Sequence, residues 1–484
     1  MGVVESYAMS TDTKPEAEKK PAPLTEETPS VKNHKIGKLE YETIVGRMPI
    51  KDADGEIEAQ IFFTAYIKKS NKPAKERPLM FSFNGGPGSP AIWLHLGALG
   101  PKRAEMTDDG NLPKPPYNLA DNPHHWLNEV DLVFIDPIGT GFSRAKDAAT
   151  AEKAWSVDGD IDSVGEFIRL FLTRYNRWNS PLFLVGESYG TTRAAGLAGK
   201  LIEKGIAFNG IVLVSSILNF QTAEFRKGND LPYPLFLPTY AATGHYHGKV
   251  DGELNDVIDK AREFALGRYW TALAKGINLP EKERASVRKE LSKLTGLSEN
   301  YLESCDLRPV IHQFVKELLR DQKRTVGRLD SRIKGIDDSQ RHVDDRNEHD
   351  PSMSILMPPY VSLFHTYLRE ELGYETDLEY EIFRGIKKPW NWGSSRDGYP
   401  DTSDALRKAM HRNPYMKVFI ASGYYDLATP FFATEYTVAH MGLDSSLLTN
   451  IQTEEYKAGH MMYIDTGCLA KLKKDVSGFI EGCL

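Results

Sequence analysis

From Leu39 to Ile67 apolar and polar residues alternate on either side of the turn DADG (52–55), a period of two that predicts a long antiparallel hairpin. Beyond it the pattern changes. Short, almost wholly apolar runs, PLMFSF (78–83), VDLVFID (130–136), PLFLV (181–185) and GIVLVSS (210–216), suit strands buried on both faces. Between them lie helix-like stretches such as DIDSVGEFIRLFLTRY (160–175), where Ile161, Val164, Ile168, Phe171 and Tyr175 form one apolar face. The same strand style returns at MKVFIASGYYD (416–426), and LLTNIQTEEY is compatible with a last strand. This alternation predicts an α/β fold, a mostly parallel central sheet flanked by helices.

Two regions stand apart. Ser10 to Gly37 is rich in Pro, Glu, Lys and Thr and poor in large apolar residues, so residues 1–38 are expected to form a disordered tail. From about Phe220 to Asn413 the chain is charged and helical in pattern, with PEKERASVRKELSKLTGL and LRPVIHQFVKELLRDQ its clearest helices. The expected organisation is therefore a core of 39–219 and 415–484 with an inserted, mainly helical cap at 220–414.

Composition narrows the function classes. A formal charge of −7, from 60 basic and 67 acidic residues spread along the chain, argues against a nucleic-acid surface. No apolar run is long enough to span a bilayer, and the start MGVVESYAMSTDTK lacks the basic-then-apolar layout of a secretory signal. Cys305, Cys468 and Cys483 fall in no metal-like spacing, and a continuous helix between the last two would hold their sulfurs roughly 20 Å apart. His124-His125 and the HYH at 245–247 lack a third ligand, so neither metal nor cofactor is expected.

The chemistry concentrates at FLVGESYGTTRAAG (183–196), where Ser188 sits in a Gly-x-Ser-x-Gly spacing between a strand and a helix. Such a turn forces the serine into a strained backbone conformation that exposes its hydroxyl. A serine nucleophile needs a base, an orienting carboxylate and donors for the developing oxyanion. His460 in YKAGHMMY and Asp426 at the end of a strand supply the first two, and Ser188, Asp426, His460 is the chain order of the α/β-hydrolase triad. The plainer readings are a helix cap at Asp426 and a hydrogen-bonded core histidine at His460. The glycine-rich loop in FSFNGGPGSPAIW (81–93) follows a strand, so one of its amides and that of Tyr189 are candidate oxyanion donors.

With these residues the chain resembles the serine carboxypeptidase family, through NGGPGS (84–89), NPHHW with VDLVFIDPIGTGFS (122–143), GESYG (186–190) and AGHM (458–461). The resemblance implies an α/β-hydrolase fold, Ser188 as nucleophile, His460 as base, Asp426 as its partner, and the amides of Gly86 and Tyr189 as the oxyanion hole. It also implies that Asn84 and Glu187 hold the substrate's terminal carboxylate. A glutamate beside a carboxylate must be protonated to share a hydrogen bond, which implies acidic operation. The implied substrate is a peptide or small acyl compound. The implied location is secreted or periplasmic, with a cytoplasmic one left open by the chain's start.

The chain also departs from the pattern. Ser82, Ser89 and Ala98 stand where the family usually has Trp, Cys and Glu, which leaves the triad intact but removes half of the carboxylate clamp. An esterase, amidase or acyltransferase on the same fold therefore stays open beside the carboxypeptidase, and behind both a non-catalytic binding protein. Arg324, Arg328 and Arg332, spaced by four, would form one basic edge if DQKRTVGRLDSRIK (321–334) were helical, a candidate replacement for the missing half.

Overall fold

The computed structural model describes residues 24–70, 73–107, 111–337, 349–393 and 398–484. Ten strands form its main sheet: β1 (Ser30–Ile36), β2 (Leu39–Lys51), β3 (Ile57–Lys68), β4 (Leu79–Phe83), β5 (Asp131–Ile135), β6 (Arg144–Ala145), β7 (Leu182–Ser188), β8 (Gly210–Ser216), β9 (Lys417–Gly423) and β10 (Ile451–Tyr456). Their spatial order is β1-β2-β3-β5-β4-β7-β8-β9-β10, with β6 also on β3. β1, β2, β3 and β5 pair antiparallel in turn, and every pair from β5 to β10 is parallel. The predicted hairpin is β2–β3, and each predicted apolar run is a strand of the parallel part.

Because side chains alternate across a strand, each buried run feeds two cores at once. Phe183, Val185, Val212, Val214, Phe419 and Ala421 point to one face, and Leu182, Leu184, Ile211, Leu213, Val418 and Ile420 to the other. On the second face lie α1 (Val157–Arg174) and α2 (Tyr189–Leu201). Between β8 and its neighbour β9 the chain inserts α3 (Pro232–Tyr246), α4 (Leu254–Phe264), α5 (Glu281–Thr295), α6 (Pro351–Glu370) and α7 (Ser403–Arg412). After β9 follow α8 (Phe431–His440) and α9 (Thr466–Cys483). The last helix is continuous and all three cysteines are free.

Three expectations are modified. Residues 30–36, placed in the disordered tail, form β1: its ladder to β2, with Ser30 Oγ donating to the Leu372 carbonyl at 2.9 Å, orders a segment that buries little apolar surface. The rest of that stretch up to residue 23 lies outside the described residues. Second, the 220–414 insertion does not pack as one body. Residues 233–319 build a third apolar core, whereas α6 joins the first face of the sheet and α7 the second, because periodicity marks an apolar stripe without naming what it packs against. Third, 321–334 is no helix. Thr325–Val326 and Lys334–Gly335 pair as a small antiparallel ladder, and the chain between them forms a loop that lacks the apolar stripe a packed helix needs.

Candidate active site

β7 ends in Ser188, whose φ of 60° and ψ of −132° place a non-glycine residue in the left-handed half of the map, and α2 begins at the next residue. Strand and helix meet so closely that a Cβ on Gly186 would collide with the Gly190 carbonyl oxygen. The neighbouring loop at 84–89 is pressed against the turn just as tightly: a Cβ on Gly85 would strike the backbone nitrogen of Tyr189. This leaves the amides of Gly86 and Tyr189 without a protein acceptor among the described residues and beside Ser188 on the wall of one cavity.

His460 and Asp426 come from the loops after β10 and β9, at the carboxyl ends of neighbouring parallel strands. His460 Nδ1 donates to Asp426 Oδ2 at 2.7 Å, with both side chains buried. The carboxylate is held in turn: Oδ1 accepts from the amides of Ala428 (2.8 Å) and Thr429 (3.0 Å), and Oδ2 from the Thr429 hydroxyl (2.7 Å). With its lone-pair sites filled, Asp426 fixes the imidazole with Nδ1 protonated and Nε2 free to accept. Burial lowers the pKa of His460, but the charge and hydrogen bond of Asp426, followed by the charge of Glu187, raise it above its ordinary value. Ser188 and His460 line the same cavity, and no hydrogen bond joins them. In unliganded sites that contact commonly tightens only when substrate arrives.

Glu187 is fully buried beside the serine. Asn84 Nδ2 donates to its Oε1 at 2.9 Å and the Tyr463 hydroxyl to its Oε2 at 2.7 Å. Burial pushes its pKa up to about 7, against the pull of His460 and of these two hydrogen bonds. Asn84 is itself anchored, its Oδ1 accepting from the Leu94 amide at 3.1 Å. Where the family's Trp and Glu are missing, Ser82 and Ala98 are buried, and the ring of Tyr463 packs against Gly97. The cavity has a volume of about 460 Å³, and apart from Ser89 and Arg328 the rest of its lining is apolar, including Trp93, Ile217, Phe220, Met353, Met357 and Phe383.

All seven residues named from the sequence thus lie at this site: six on the cavity wall, and Asp426 behind His460. Sequence reasoning missed two. Thr429, three residues after Asp426, has the spacing of a side-chain turn, a local signal that was available. Tyr463 carries no such signal, because its partner Glu187 lies 276 residues away. Of the three spaced arginines, Arg328 alone lines the cavity. Arg332 is taken up by Asp330, Nη2 to Oδ2 at 2.7 Å, and Arg324 donates to the Lys323 carbonyl at 3.0 Å.

Strand order, elbow and loop placement define an α/β-hydrolase. The chain belongs to the serine carboxypeptidase family, whose model matches residues 40–466. Among its relatives, serine carboxypeptidase-like 8 of Arabidopsis thaliana is 31% identical over 200 residues, covering 41% of this chain and 42% of that protein. Serine carboxypeptidase-like 5 of the same plant is 30% identical over 156 residues, 32% of this chain and 33% of that one. The chain therefore spans less than half the length of these curated relatives. A prohormone-processing carboxypeptidase of Saccharomyces cerevisiae, KEX1(DELTA)P, superposes with a TM-score of 0.55 at 15% identity over 91% of each chain, a likeness of fold. Among the described residues no helix is long and apolar enough to cross a membrane.

Proposed function

We propose that this chain is a serine-type carboxypeptidase that releases C-terminal residues from peptides through an acyl-enzyme on Ser188. The observation that carries the reading is the convergence, on one cavity, of an elbow serine, a carboxylate-backed histidine and two uncommitted amides. His460 Nε2 takes the Ser188 proton as Oγ attacks the scissile carbonyl, and the amides of Gly86 and Tyr189 donate hydrogen bonds to the oxygen on which negative charge develops. The imidazolium, stabilised by Asp426, returns the proton to the leaving amine, and water repeats the sequence to free the acyl group. Protonated Glu187 and the second Nδ2 hydrogen of Asn84 donate to the substrate's terminal carboxylate. Its preceding side chain meets the apolar wall.

Ser188→Ala is expected to leave a folded chain whose turnover is about 10⁴–10⁶-fold lower, as for loss of a triad nucleophile. A fluorophosphonate should label wild type and spare the variant. Near-normal turnover of the variant would sink the reading. Ser82 and Ala98 favour a second reading, ester hydrolysis or acyl transfer with no terminal carboxylate recognised. Product analysis on one peptide with free and amidated C-termini separates the two. The family's usual exported location is carried to this chain on the same footing, and fractionation of expressing cells checks it.

A further inference from the structure

The segment Gly327–Ile333 is strapped across the catalytic loops. The Leu329 carbonyl accepts from the His460 amide at 2.6 Å, the Arg328 carbonyl from the Leu427 amide at 3.0 Å, and the Ser331 amide donates to the Tyr425 carbonyl at 3.0 Å. On its other side the strap rests on the N-terminus of α6: the Ser352 hydroxyl accepts from the amides of Leu329 (3.2 Å) and Asp330 (3.3 Å), and Asp350 Oδ1 from that of Arg328 (3.2 Å). The backbone of residue 328 is thereby fixed one residue from the contact that holds the catalytic histidine. Its side chain is free: among the described residues the Arg328 guanidinium has no carboxylate or hydrogen-bond partner, although the arginines four residues to either side both have one. Arg328 is also exposed, so its charge costs little desolvation.

The cavity wall holds two basic side chains, Arg328 and His460, and His460 is committed to Asp426. The opposite demand comes from Glu187. Both of its oxygens already accept hydrogen bonds, from Asn84 and Tyr463, so it binds a second carboxylate only when protonated and repels one when ionised. A permanent cation on the same wall adds an attraction for an anionic substrate that does not depend on the protonation of Glu187. A planar guanidinium supplies two parallel donors matched to a carboxylate.

We infer that Arg328 is a specificity-determining residue that binds the terminal carboxylate of the substrate, standing in for the half of the clamp lost at Ser82 and Ala98. The inference rests on the hydrolase reading. The substrate class it selects is an apolar peptide or acyl compound ending in a free carboxylate.

The test measures kcat/KM of wild type, Arg328→Ala, Arg328→Gln and Arg328→Lys on one blocked dipeptide presented as free acid and as C-terminal amide, with fluorophosphonate labelling of Ser188 in parallel. In Arg328→Ala and Arg328→Gln the preference for acid over amide should fall about 10–100-fold, through KM, the range expected for a lost charged hydrogen bond. The lysine variant should recover part of it. The acid should also protect Ser188 from the label in wild type and lose that protection in Arg328→Ala. An unchanged acid-to-amide ratio with Ser188 labelled in every variant overturns the inference and leaves the hydrolase standing. Failure of wild type to label or to turn over either compound overturns the hydrolase reading and this inference with it.

Discussion

At the scale of the residue, the roles proposed for Glu187 and His460 set opposite limits on the working pH. The base must be neutral, so turnover of any substrate rises as pH climbs through the His460 pKa, which Asp426 and Glu187 hold above the ordinary histidine value. Glu187 must be protonated to share a hydrogen bond with a bound carboxylate, and burial keeps it so up to about pH 7. Free-acid peptides are therefore expected to give a bell whose alkaline limb begins near neutrality, whereas a neutral ester rises to a plateau. Glu187→Gln should remove the alkaline limb for the peptide. Parallel pH profiles of kcat/KM decide: a common decline for both substrates on the alkaline side would assign the limb to another group.

At the scale of the element, the elbow is braced by a buried ion pair between α1 and α2. Arg193 Nε donates to Asp160 Oδ2 at 2.8 Å, with both side chains almost wholly buried, and its Nη1 donates to the Asn84 carbonyl at 2.7 Å. The same guanidinium lies over the rings of Phe83 and Tyr189, so one side chain joins strand, loop and helix behind the serine. Removing one partner of such a pair strands a buried charge. Arg193→Met is expected to cost about 3–5 kcal/mol, and Arg193→Met with Asp160→Leu to recover much of it. Urea midpoints at constant slope measure both, and equal losses in the single and double variants would count against the pair as the brace. The helical face of α1 was legible from Ile161, Val164, Ile168 and Phe171, but the partner of Asp160 was not, because it sits 33 residues on in another helix.

At the scale of the whole molecule, the site is held at the expense of stability. Burial holds the pKa of Glu187 at about 7 in the folded chain, above its ordinary value of 4.5, so the folded state binds more protons than the unfolded one between these values. Stability from this group is thus complete below about pH 4.5 and is lost as pH rises through 7, by an amount on the order of 3 kcal/mol. Glu187→Gln, which keeps an acceptor for Asn84 and offers Tyr463 a donor, is expected to melt above wild type at pH 8 and level with it near pH 4. Thermal unfolding across that range supplies the difference curve, which cancels other titrating groups such as buried Asp136. A difference independent of pH would show that Glu187 is not the titrating group.

The sequence by itself determined the strands, since their apolar runs carry a local signal, and it determined the elbow, since Gly186, Ser188 and Gly190 must be neighbours in the chain for strand and helix to pass so closely. It also marked Asp426 and His460, because parallel strands deliver their following loops to one edge of the sheet whatever the details of packing. What only the tertiary structure decided are the contacts between distant positions. Tyr463 reaches Glu187 across 276 residues, and the strap at 327–333 lies on His460 because the backbone amides of the loops carrying Asp426 and His460 needed acceptors, which any residue type could have supplied. The arginines looked equivalent at a spacing of four; the loop that replaced the expected helix sent one to the cavity and tied the others to their neighbours. Local patterns record what each residue prefers, and the partners it meets follow from how the whole chain closes its cores.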